Sequence, residues 1–110
     1  MLRETSLVIV SLHSPKEQVW GVVESLSTMG VILRAININS FEDWARQVAR
    51  GEEITIGLVS TFFPMHRIEK IFADEDIGAV KSYATQFQEL VGMSIEAYLE
   101  SQRPESGFTH

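Results

Sequence analysis

Apolar and polar positions change period several times along this chain, and each change marks an element. "SLVIVSLH" (6–13) is a run rich in β-branched residues that stops at Ser14-Pro15, which predicts a buried or half-buried strand. "GVILRAINI" (30–38) alternates, with Val31, Leu33 and Ala35 on one face and Ile32, Arg34, Ile36 and Ile38 on the other, again a strand. In "SFEDWARQVARG" (40–51) the period lengthens: Phe41, Trp44, Ala45 and Val48 form one helical stripe. Ser40 is placed to cap that helix with Asp43 at the acidic position of a capping box, and Arg46, Arg50 and Gly51 suit its C-terminal end. "EITIGLVSTFF" (53–63) returns to strand character, "PMHR" (64–67) is a turn, and "IEKIF" (68–72) is a further strand. Residues 79–91 put Val80, Tyr83, Ala84, Phe87, Leu90 and Val91 on one helical face ended by Gly92. Ser94 caps a short helix carrying Ile95, Tyr98 and Leu99. The expected organisation is one domain over 1–101 and a flexible tail over 102–110.

Residues 14–30, "SPKEQVWGVVESLSTMG", admit two readings. As a helix they have Ser14 as N-cap, Pro15 at the first position, Val19, Val22, Val23 and Leu26 as the stripe, and Gly30 as the stop. The chain would then begin β-α-β, and an α/β ferredoxin-like open sheet would follow if 15–28 is helical. As a turn plus strand, Val19, Gly21 and Val23 share a face, and Gly21 marks the sharp bend that a small barrel needs; in a helix interior it would cost about 1 kcal/mol relative to alanine. The far end of the chain favours the second reading, because "STFFPMHRIEKIF" is a strand, a tight turn at Pro64 and a final strand. The expected fold is mainly β, an Sm-like/SH3-type five-stranded barrel with a helix inserted at 40–50 and a C-terminal helical segment. Gly21, Gly30 and Pro64 are its fold-critical residues.

With Val8, Val10 and Leu12 in the first strand, Val19, Gly21 and Val23 in the second, and Val31 and Leu33 in the third, residues 8–36 and, more loosely, 54–72 resemble Sm-like proteins. The resemblance implies edge strands that pair between neighbouring copies, and RNA binding as a subsidiary function. The chain departs from the family where uridine is contacted: "LSTMG" (26–30) has neither the acidic residue nor the asparagine of that loop, and "FFPMHR" replaces the usual glycine-containing turn.

Composition narrows the functions. The 110 residues are 45% hydrophobic, enough for one ordinary core and not for a second independent one. Fifteen acidic against nine basic residues give a net charge of −6, which works against binding a polyanion. Arg34, Arg46, Arg50, Arg67 and Lys70 are spread out, without the interleaved aromatics of a single-strand-binding platform. Cysteine is absent, which removes disulfides and thiol chemistry. The N-terminal apolar stretch is too short for a signal peptide or membrane span, so a cytoplasmic location is expected.

His13 and His66, both at strand-to-turn junctions, are candidate metal ligands with Glu17 or Glu69, although their spacing is not that of a standard site. Asp74, Glu75 and Asp76 do not follow the twelve-residue calcium loop and are read as a solvated acidic loop. No phosphate loop and no nucleophile with a base and orienter is present, so no enzymatic activity and no cofactor are expected. Two Trp, six Phe and two Tyr, with strands apolar on both faces, offer more apolar surface than one small barrel covers. The expectation is therefore a non-enzymatic scaffold or interaction module that forms a homo-oligomer, with Trp20, Phe62 and Phe63 as interface candidates. The alternative is a small-molecule-sensing regulatory domain of ferredoxin-like type.

Overall fold

The computed structural model describes residues 5–102; the part of the expected tail from 103 to 110 lies outside the described residues. Residues 14–16 turn the chain, with Ser14 in the left-handed region at a φ of 59°, so Ser14 caps no helix. Strands β1 (Leu7–Leu12), β2 (Glu17–Leu26) and β3 (Gly30–Asn37) then run as an antiparallel meander. With 17–26 extended, the condition for a ferredoxin-like sheet is not met.

A single 3₁₀ turn, Ile38–Ser40, leads into α1 (Phe41–Arg50). Ser40 makes no side-chain cap, contrary to expectation, because the turn before it is capped instead by Asn37, whose Oδ1 accepts from the Asn39 N–H at 2.9 Å. Gly51 closes α1 in the left-handed conformation. The next strand is shorter than its pattern suggests: β4 is Val59–Pro64 and begins six residues later than the sequence predicts. Residues 53–58 are drawn away from the sheet, since Ile56 and Leu58 pack against the helices and Thr55 exchanges two hydrogen bonds of 2.9 Å with the Gln47 side chain.

A three-residue 3₁₀ turn, Met65–Arg67, joins β4 to β5 (Ile68–Ala73). Helix α2 (Tyr83–Val91) also starts later than its apolar stripe, since Val80 bridges to Ile77 and Ser82 caps the helix by accepting from the Thr85 N–H. Gly92 ends it and Ser94 caps α3 (Ile95–Ser101), as the sequence indicates.

The strands form one antiparallel sheet in the order β4-β3-β2-β1-β5. Its two edge strands are consecutive in the chain. Four spacings of about 4.8 Å would hold the edges of a flat sheet about 19 Å apart, whereas the link from Pro64 to Ile68 reaches at most about 14 Å. The sheet is therefore curled, although no ladder joins β4 to β5 among the described residues and it is not closed.

Curling demands small residues where strands approach. A Cβ on Gly21 would lie 2.0 Å from the Arg34 carbonyl oxygen and 2.7 Å from the Ala35 Cα, and one on Gly30 would lie 2.3 Å from the Phe63 carbonyl oxygen. These two glycines let β2 and β4 close on β3.

Each face of the curled sheet buries its own apolar cluster, so the chain supports two cores that share one sheet, where composition suggested one. The inner cluster comprises Val8, Val10, Leu12, Val19, Val23, Val31, Leu33, Ala35 and Phe63, with Ile68 and Ile71 packed against it. The outer cluster joins Ile9, Trp20 and Ile36 to Phe41, Trp44 and Ala45 of α1, Phe87 of α2 and Ile95 of α3. The rings interlock, Trp20 edge-on to Phe41 at 5.2 Å and Trp44 stacked on Phe87 at 5.0 Å. No helix among the described residues is long and apolar enough to cross a membrane.

Candidate functional site

The two edges of the sheet differ in chemistry. Strand β5 carries Glu69 and Lys70, the kind of charged positions that discourage another strand from adding. Strand β4, "VSTFFP", has no charge, and its outer side has no partner strand among the described residues. Apolar side chains gather around it. Phe62 is 51% exposed and sits in register with exposed Ile32 on β3, while the backbone N–H of Met65 donates to the carbonyl of Met29, itself 73% exposed at the β2–β3 turn. Leu26 and Met65 are exposed at the same end. The part of the outer face that the helices leave uncovered thus ends in an uncharged edge flanked by a phenylalanine, an isoleucine and two methionines.

Of the three aromatic interface candidates, Phe62 alone has surface to offer. Trp20 is fully buried beneath the helices and Phe63, at 8% exposure, points into the inner cluster, so neither can meet a partner. Alternation along β4 explains the split: Phe62 and Phe63 are neighbours and must face opposite ways. Pro64 pairs with Gly30 at the end of β4, and the Phe62 ring lies within 2.9 Å of where a Gly30 Cβ would stand.

His13 and His66 lie on adjoining segments, since the His13 N–H donates to the Arg67 carbonyl at 3.0 Å, and both are exposed. Among the described residues no group of three or more His, Asp or Glu side chains is gathered to hold a metal. The group that organises this end is Arg67, which donates to the carbonyls of Pro15 at 2.8 Å and His13 at 3.2 Å and pairs with Glu17 at 3.3 Å. Three further cations are also engaged, Arg46 with Glu42, Arg50 with Glu52 and Lys81 with Glu89.

The acidic loop has a structural role that its composition concealed. Asp74 accepts from the Trp20 indole N–H and from the backbone N–H groups of Tyr83 and Ala84, each at 2.9 Å, so it fixes the start of α2 to the outer face of the sheet. Asp76 accepts from the Ser82 N–H at 2.8 Å and from the Thr85 hydroxyl; these bonds, the first above all, hold its carboxyl below the ordinary value of 3.8. The local signal was there, two aspartates a few residues ahead of a helix start, but the tie to a tryptophan 54 positions away was not.

A cavity of about 220 Å³ opens between β3, α1, the 53–58 segment and α3, with Arg34, Trp44, Leu58, Tyr98, Leu99 and Gln102 in its wall. Sequence reasoning missed it because its wall is drawn from four separate segments. Compared with protein-family models, curated proteins and solved structures, the chain matches none of them.

Proposed function

We propose that the protein is a non-enzymatic interaction module that self-associates, with a second copy adding to the free edge of β4. One observation carries this reading: β4 is an edge strand without a single charge, bordered by exposed Phe62, Ile32, Met29 and Met65. Such an edge invites another strand unless something covers it. The β4 edge of a second copy, equally uncharged and of the same six residues, is a suitable partner. Two β4 edges pair isologously, about a two-fold axis. The curled sheet, with three residues linking its two edges and Gly21 and Gly30 at the tight approaches, supports its assignment as an SH3-type barrel of Sm-like form. The RNA-binding part of that resemblance has less behind it, given a net charge of −6 and the Arg46, Arg50 and Arg67 ion pairs.

Multi-angle light scattering tests the reading. The expected mass at micromolar concentration is a multiple of 12.4 kDa, falling to the single-chain mass in F62E and in S60K, which sets a lysine on the edge beside Glu24. A wild-type protein that runs as a 12.4 kDa monomer across this range contradicts it.

A further inference from the structure

We infer that the cavity beneath Arg34 is a binding site for a small organic carboxylate with an aromatic body. Arg34 projects from the outer face of β3, between Val22 and Ser60 in the sheet register, and is half-buried. Arg46, Arg50 and Arg67 all have carboxylate partners, whereas the Arg34 guanidinium is the one among the described arginines that has no acceptor. Its neighbour Ser60 is already committed to Glu24 at 2.8 Å. Arg34 is half-buried and no nitrogen of it is sealed from solvent, so an anion brought to it exchanges water for a charge-assisted, bidentate pair.

The rest of the wall sets the chemistry of that anion. Among the described residues Arg34 is the only charged one lining the cavity; Trp44, Tyr98, Leu58 and Leu99 supply rings and branched chains, and Gln102 adds an amide donor. A planar fork of N–H donors matches a carboxylate bidentately. A phosphate dianion would need more donors than one guanidinium, and the described residues of the wall include no second cation. The walls suit an apolar body, and rings beside Trp44 and Tyr98 pack edge-on or offset. At about 220 Å³ the space is below the roughly 300 Å³ at which drug-sized sites begin, so it accepts a molecule of the size of phenylacetate. Because the chain as a whole carries a charge of −6, affinity comes from the local contact and not from long-range attraction. The described lining comes from β3, α1, the 53–58 segment and the α3 end, and none of it from β4.

The test is fluorine NMR of full-length protein labelled with 5-fluorotryptophan, titrated with phenylacetate, phenylacetamide and inorganic phosphate. Trp44 lines the cavity and Trp20 does not, so one of the two signals reports binding and the other is the reference. The expected result is a saturable shift of the Trp44 signal by phenylacetate. R34Q weakens it about tenfold or more, R34K weakens it less, and the neutral amide binds at least about tenfold more weakly. Two dispersed fluorine signals show that each variant is folded. Should R34Q fail to fold, phenylacetate against phenylacetamide on the wild type, with R34K, decides the matter. No saturable shift at tens of millimolar phenylacetate, equal binding of the amide, unchanged affinity in folded R34Q, or a phosphate affinity equal to that of phenylacetate overturns the inference.

Discussion

Replacing Asp74 by alanine removes three hydrogen bonds at once and tests whether this carboxylate is what fixes the helical layer to the sheet. The Trp20 indole N–H that it receives is fully buried, so the stranded donor has no water to turn to; that costs about 1–3 kcal/mol. The N–H groups of Tyr83 and Ala84 lose a cap, worth about 1 kcal/mol. The sum, about 2–4 kcal/mol, is a large part of the roughly 5–15 kcal/mol that holds a domain together. In D74A the melting temperature should fall by about 8–32 °C, taking about 4–8 °C per kcal/mol for a chain of this size. D74N keeps one acceptor oxygen and should retain about half of the loss. The assay is urea unfolding at a fixed protein concentration, because association shifts apparent stability, followed by tryptophan fluorescence and far-ultraviolet circular dichroism. A cycle with W20F isolates the indole bond, since removing both partners should cost less than the sum of the single losses by about 1 kcal/mol. A D74A protein within about 1 kcal/mol of wild type, or a cycle with no coupling, would refute the assignment.

The remaining predictions use the same unfolding assay. G21A should cost at least about 3 kcal/mol because its Cβ meets the backbone of β3 at 2.0 Å, whereas G57A, where a Cβ meets nothing within 4 Å, should stay within about 0.5 kcal/mol of wild type. R67A should cost about 1–2 kcal/mol by freeing the carbonyls of His13 and Pro15 together with Glu17, and a neutral result would show that the 13–16 turn holds itself. Asp76 has a folded pKa below its ordinary value of 3.8, so the stability it contributes is present above that value and is lost as pH falls through the folded one. The urea-midpoint gap between wild type and D76A should accordingly be wider at about pH 6 than at about pH 2; a gap that does not change with pH would contradict it.

Much of the sheet is legible in the sequence because its signals are local. Alternating Val19, Gly21 and Val23 mark β2, and the apolar stripes on Phe41–Trp44 and on Tyr83–Phe87 mark two helices. Elements were misplaced where a tertiary contact outbids the local pattern. Ile54, Ile56 and Leu58 alternate as a strand would, yet Ile56 and Leu58 are worth more against the aromatic cluster than in the ladder. Trp20 and Phe63 read as surplus apolar surface because nothing in the one-dimensional pattern says which face of a strand the helices will cover. The acidic loop and the Arg34 cavity escaped for the same reason: each exists only after distant segments meet. What remained legible of the candidate surface is Phe62 itself, an apolar position on the solvent-facing side of a strand that carries no charge.

The central claim, that a second copy covers the free edge of β4, is tested most directly by amide hydrogen exchange over Val59–Pro64 at two protein concentrations. The amides there that are not bonded to β3 should exchange slowly at tens of micromolar, speed up on dilution into the nanomolar range, and exchange fast at both concentrations in F62E and S60K. If those amides exchange at unprotected rates in the wild type whatever the concentration, the edge is bare in solution and the account of the protein as a self-associating module does not hold.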